Sequence, residues 1–228
     1  MIAVLAVALA TAAFTGPVPP SAPPPDYRPG PRDLVTVGDW PPIGKWMIDK
    51  HMRPAAWLGA RLQGKTLREP INVVLVDSAA ASAEEAVERL VLACRTAGFK
   101  PREGHSGGYH GFLGGLVFPQ LPAAAGHAFA DEPFELHNNH GRIFGPYRLA
   151  DGWLFVGALS RERFEPLTRT EHVYVSFNEA RDRFARRLHE MTGFKIVGRV
   201  ALANALGDDP AVTTGDHDGE AVVLRAGR

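Results

Sequence analysis

Apolar residues in this chain fall into short runs separated by turn-forming residues, and the period of the runs changes along the sequence. Residues 71–76 (INVVLV) are rich in β-branched side chains, the pattern of a strand buried on both faces. Ser82 and Glu85 follow with the S-x-x-E spacing of a capping box. Val87, Leu90, Val91 and Cys94 then recur at helical spacing, and Gly98 stands where a helix end needs a left-handed residue. Residues 140–144, 153–159 and 172–177 read as three further strands. Asn178 is the predicted N-cap of a second helix, with Phe184, Leu188 and Met191 on one face and Gly193 at its end. Residues 134–136 predict a short strand, 195–203 and 221–224 the last strands, and the acidic stretch 207–218 a loop. The order β-α-β-β-β-α-β predicts an α+β fold, a mixed β-sheet covered by two main helices.

The first residues follow a different pattern. Residues 2–14 are almost wholly apolar, and no charged side chain precedes Asp26. A helix of that length spans about 20 Å, short of the roughly 30 Å hydrocarbon core of a membrane. With small residues at Ala10 and Ala12, the run predicts a signal peptide over residues 1–16 and export to the periplasm or cell envelope. Eight prolines between Pro17 and Pro31 predict an extended spacer over residues 17–33, since each fixes φ and removes a donor. Residues 34–66 carry Trp40, Trp46 and Trp57, and within them 43–62 read as one or two short helices broken at Pro54. That segment is either a brace packed across the main domain or a membrane-proximal or partner-contacting element. Residues 67–228 then make up the α+β domain.

Charge and cysteine content narrow the function. The 25 Lys and Arg balance the 25 Asp and Glu, so no overall field favours nucleic acid. Cys94 is the sole cysteine, which excludes an intramolecular disulfide and a multi-cysteine zinc site. Its place on the apolar stripe marks it as a core residue. The chain contains no P-loop, no G-x-S-x-G elbow and no H-E-x-x-H motif.

Histidines carry the remaining chemistry. His137 and His140 form an H-x-x-H pair, which can share an ion if the backbone turns between them. A third ligand has to come from elsewhere, and His172, His110 and Asp151 are the candidates. No cofactor is the leading expectation; His137, His140 and His172 are the candidate metal set if zinc or another divalent ion is held. In a straight strand, however, positions three apart face opposite ways, which leaves hydrogen-bonded histidines as the alternative. Alternation adds a second expectation. His140 and Arg142 share one strand face, and His172, Tyr174 and Ser176 share another. If the two strands are neighbours, His140, Arg142, His172 and Ser176 form one polar surface suited to a phosphate, a carboxylate or a sugar. The competing reading is the wet face of a one-sided sheet. Residues 104–111, rich in glycine, read as a mobile loop near a ligand or as a plain connection.

Several of these segments together resemble the LssY C-terminal domain family. They are residues 69–76 (EPINVVLV), Ala97-Gly98-Phe99, Asn139-His140-Gly141-Arg142, 153–160 (WLFVGALS), and His172 through Asn178-Glu179-Ala180-Arg181-Asp182. Their order and spacing match over about residues 69–190. The family's domain is often attached to membrane-embedded regions resembling DedA-type and lipid-phosphatase proteins, and its own activity is not established. The resemblance implies a cell-envelope setting. It points to His140, Arg142, His172, Arg181 and Asp182, beside Ser176, as ligand-binding positions. The family tends to carry acidic residues where this chain has Ser176 and Asn178, which weakens a carboxylate-based role there. Two functional readings follow. One is an exported binding or accessory module for an anionic or glycan-like ligand or a membrane-protein partner. The other is a metal-assisted hydrolase acting on phosphorylated or glycan envelope components.

Overall fold

The computed structural model of the chain describes residues 29–124, 126–165 and 172–227. The expected signal peptide and most of the proline-rich spacer lie outside the described residues. Short strands β1 (Leu34–Val35) and β2 (Ile43–Gly44) lead into the hairpin β3 (Ala56–Leu62) and β4 (Lys65–Arg68). Strand β5 (Val73–Asp77) feeds helix α1 (Ala83–Thr96), and β6 (Lys100–Arg102), β7 (His110–Leu113), β8 (Leu116–Leu121) and β9 (Ala128–Ala130) follow. A long hairpin, β10 (Asn138–Leu149) and β11 (Gly152–Phe164), precedes β12 (His172–Ser176) and helix α2 (Phe177–Met191). Strands β13 (Phe194–Ala201), β14 (Val212–Thr213) and β15 (Glu220–Ala226) complete the chain.

Twelve strands form one curled sheet along the path β1-β2-β7-β8-β10-β11-β5-β15-β13, with β12 added to β11, β9 to β10 and β6 to β9. A second sheet, β14-β4-β3, is small. Alternation along the central strands divides the core in two. Val73, Leu75, Ile143, Phe155 and Leu159 pack against Val87, Leu90 and Cys94 of α1 and Phe184 and Leu188 of α2. Val74, Val76, Phe144, Leu154, Val156 and Ala158 point the other way, into a core shared with Ile43, Met47 and Ala55.

This architecture overturns the expected α+β sheet covered by two main helices. The described residues are mostly β, with 45% strand and 17% helix, and among them only two α-helices occur. The helices pack on one face, and the N-terminal segment covers the other with strands and irregular chain. Residues 43–62, expected to be helical, end in the β3–β4 hairpin instead. Its turn places Gln63 and Gly64 at φ +51° and +81°, a conformation the glycine adopts freely. Trp57 on β3 is buried with Leu67 and Phe177, so this tryptophan braces the sheet.

Both helices start on serine. Ser82 accepts a hydrogen bond from the Glu85 amide while the Glu85 side chain accepts from the Ala81 amide. In α2 the cap is Ser176, two residues before the expected Asn178, because β12 runs directly into the helix. Residues 134–136 form turns rather than a strand.

Candidate functional site

The site grows out of the β10–β11–β12 ladder. His140 pairs across from Ser160, and Asn138 from Glu162. On its other edge β11 pairs with β12, which sets Glu162 opposite Tyr174 and Phe164 opposite His172. The strands carrying His140 and His172 are therefore not neighbours, and β11 stands between them and contributes a carboxylate. Residues 140, 142, 160 and 162 continue the face of Phe144, Leu154, Val156 and Ala158, away from the helices. That face is not wet. His140, Arg142 and Glu162 are 5%, 3% and 2% exposed, beneath Trp57 and Glu69 of the N-terminal segment.

A loop closes the remaining side. Gly104 lies at φ +92°, and a β-carbon there would sit 2.1 Å from the Phe134 ring, so only glycine lets the chain pass. The following residue, His105, is held by its amide to the Gly126 carbonyl at 3.0 Å, and Arg142 donates to the Ser106 carbonyl. This brings the His105 ring to 4.7 Å from the His140 ring.

One ligand atom from each of His105, His140 and Glu162 lies within 4.8 Å of the others, so this group can hold a metal ion. Asn138, itself buried, organises it. Its amide donates to Glu162 Oε1 at 2.7 Å, which turns its carbonyl oxygen to His140 Nδ1 at 2.9 Å. His140 Nδ1 therefore carries the proton, and Nε2 keeps the lone pair. That nitrogen now faces the Ser160 hydroxyl at 3.2 Å, which in turn accepts from the Trp57 indole at 3.2 Å. His105 Nε2 is buried and has no hydrogen-bond partner. His172 stacks on Phe134, and its Nδ1 lies 3.2 Å from Glu162 Oε1, too poorly aligned for a hydrogen bond.

Burial dominates the electrostatics. It lowers the His105 pKa to about 4, helped by the Arg142 and His172 charges. Burial also holds His140 well below the usual imidazole range, with His105 and Arg142 adding to the effect. Both rings are thus neutral at physiological pH and offer lone pairs. Burial raises the Glu162 carboxyl, against the Asn138 hydrogen bond and the His172 charge. It pushes Glu69 up to about 7, with Arg142 opposing and Glu162 reinforcing. Among the described residues no donor reaches the Glu69 carboxylate. Glu69, His105, His140, Arg142, Glu162 and His172 all line one cavity of about 50 Å³. A water needs roughly 10–15 Å³ of such space, so an ion and a small ligand group have room.

Of the residues expected from sequence, His140, Arg142 and His172 meet in this cavity. His137 is exposed in the turn before β10, outside the His105/His140/Glu162 group. His110 and Asp151 also stand apart from that group, and Asp151 pairs with Arg225 at 2.8 Å. Ser176, Arg181 and Asp182 belong to a different cluster. Ser176 and Tyr174 donate to Asp216, and Arg181 grips Asp218 at 2.6 and 3.0 Å and Asp182 at 2.8 Å. Sequence reasoning missed His105, Glu162, Asn138 and Glu69. The only signal was the glycine-rich stretch around His105.

No family model, curated protein or solved structure matches this chain. Among the described residues no helix is long and apolar enough to cross a membrane.

Proposed function

We propose that this protein is a metal-dependent hydrolase whose ion, zinc or another divalent transition metal, is held by His105, His140 and Glu162. One observation carries the reading: three donors of the right chemistry converge within 4.8 Å in a buried cavity, and the His105 donor has no protein partner. Two imidazoles and one carboxylate leave coordination positions open, as hydrolytic zinc sites do and structural ones do not. An ion held by these residues would bring the pKa of a bound water to near neutrality. Glu69, facing the same cavity, would take a proton from the attacking water, and Arg142 would supply positive charge to the oxyanion. Asn138 is the outer partner that orients two of the ligands. The cell-envelope setting read from the N-terminal residues belongs to the same proposal.

Elemental analysis of the untagged protein, dialysed against zinc, tests this. Near-stoichiometric zinc is expected in the wild type. His105→Ala and Glu162→Gln should each weaken it by more than about a hundred-fold, since loss of a mere outer partner already costs 10–100-fold. A folded wild type that takes up no divalent transition metal sinks the reading and leaves the cavity to a binding module.

A further inference from the structure

Arg142 is the feature of the cavity that a metal site alone does not explain. Its side chain is almost fully buried, stacked over the Tyr109 ring at 4.5 Å. Its one hydrogen bond runs to the Ser106 carbonyl, and Nε is buried with no partner. Among the described residues it forms no ion pair. A buried guanidinium with unused donors is costly unless an anion completes it. Two carboxylates, one guanidinium and a divalent ion leave the cavity with one net positive charge, which matches an anionic guest.

We propose that the substrate is a phosphate monoester, its phosphate oxygens shared between the ion and the Arg142 fork; this rests on the metal-dependent reading of the same cavity. A carboxylic ester or a peptide has no charge at its reacting centre before attack, so it would leave the guanidinium unpaired in the bound state. A phosphate monoester brings that charge with it. The reaction balances with water alone. The water oxygen forms a bond to phosphorus as its proton passes to Glu69. The bond from phosphorus to the alcohol oxygen breaks, and that oxygen leaves with its electron pair and takes the proton from Glu69. The products are the alcohol and inorganic phosphate.

Calorimetric titration of inorganic phosphate into the full chain, zinc-loaded and zinc-free, tests the inference without any variant. Binding is expected only to the zinc-loaded protein. Arg142→Lys, which keeps the charge and loses the planar fork, should weaken that binding at least about ten-fold while zinc stoichiometry is unchanged. The KM for p-nitrophenyl phosphate should rise by a similar factor. Zinc-loaded protein that ignores phosphate, or binds it equally well in Arg142→Lys, overturns the phosphate assignment and leaves the metal centre standing. Failure to load zinc at all removes the metal centre, and this inference with it.

Discussion

The cavity and the loop that latches α2 each bury an arginine and a histidine beside acidic side chains, yet the two arginines are completed in opposite ways. At the latch, Arg181 spends its donors on Asp218, Asp182 and the Glu220 carbonyl. His217 donates from Nε2 to Asn204, which itself holds two backbone carbonyls of the N-terminal segment. Asp216 accepts from Tyr174, Ser176 and the first amide of α2. In the cavity, His105 Nε2 and Arg142 Nε are buried without hydrogen-bond partners. Buried polar groups are normally paired, because leaving one unmade costs about 1–3 kcal/mol. At the latch His217 Nδ1 is likewise buried without a partner, but the arginine there is paired within the protein; the cavity leaves the Nε of its arginine open as well, which suits a guest that is not protein.

The sharpest way to break this contrast is Arg181→Ala. It should lower stability in urea by about 3 kcal/mol, the low end for a broken buried pair because its partners are partly exposed. The folded fraction should still bind zinc at full stoichiometry. A loss under about 1 kcal/mol would mean that the latch is not structural.

Acid should come next. Burial lowers the His217 pKa to about 4, against the Asp218 charge. Between about pH 6.5 and 4 the unfolded chain takes a proton that folded His217 refuses, so stability falls as pH falls. The loss reaches about 3 kcal/mol at roughly 1.4 kcal/mol per pH unit. His105 titrates in the same window, so His217→Gln, which keeps the donor to Asn204, should remove only part of the slope. A slope unaffected by His217→Gln would assign it elsewhere.

Smaller effects separate positioning from ligation. Asn138→Ala should cost 10–100-fold in zinc affinity, roughly 1.4–2.7 kcal/mol, through freed rotation of His140 and Glu162. Gly104→Ala should cost roughly 1–2 kcal/mol of backbone strain and push the loop off Phe134. Its zinc affinity should drop through misplaced His105 while the acid slope of His217 is retained. Unchanged zinc affinity in both variants would show that the ligands need neither support.

Much of the local structure was legible because its causes are local. The Ser82–Glu85 box marks α1, and the face shared by His140 and Arg142 follows from strand alternation alone. The site was less legible because its causes are long-range. Glu162 sits between Arg161 and Arg163 and reads as a solvated strand end, but pairing with β12 and the cover of Trp57 bury it. His105 lies in a stretch with no period at all. Its position depends on Phe134 and on the reach of Arg142 to Ser106, neither of which a spacing rule can see. The N-terminal segment was misread for a related reason. A helix and a short hairpin both suit scattered apolar residues, and only the sheet face waiting to be covered decides between them.

The Trp57–Ser160–His140 chain of contacts also has an optical meaning. An ion that takes His140 Nε2 displaces the Ser160 hydroxyl, and Ser160 is the hydrogen-bond partner of an indole that is 2% exposed. The emission of that indole, shielded from bulk water, then reports the occupancy of the site from inside the protein, with no added dye.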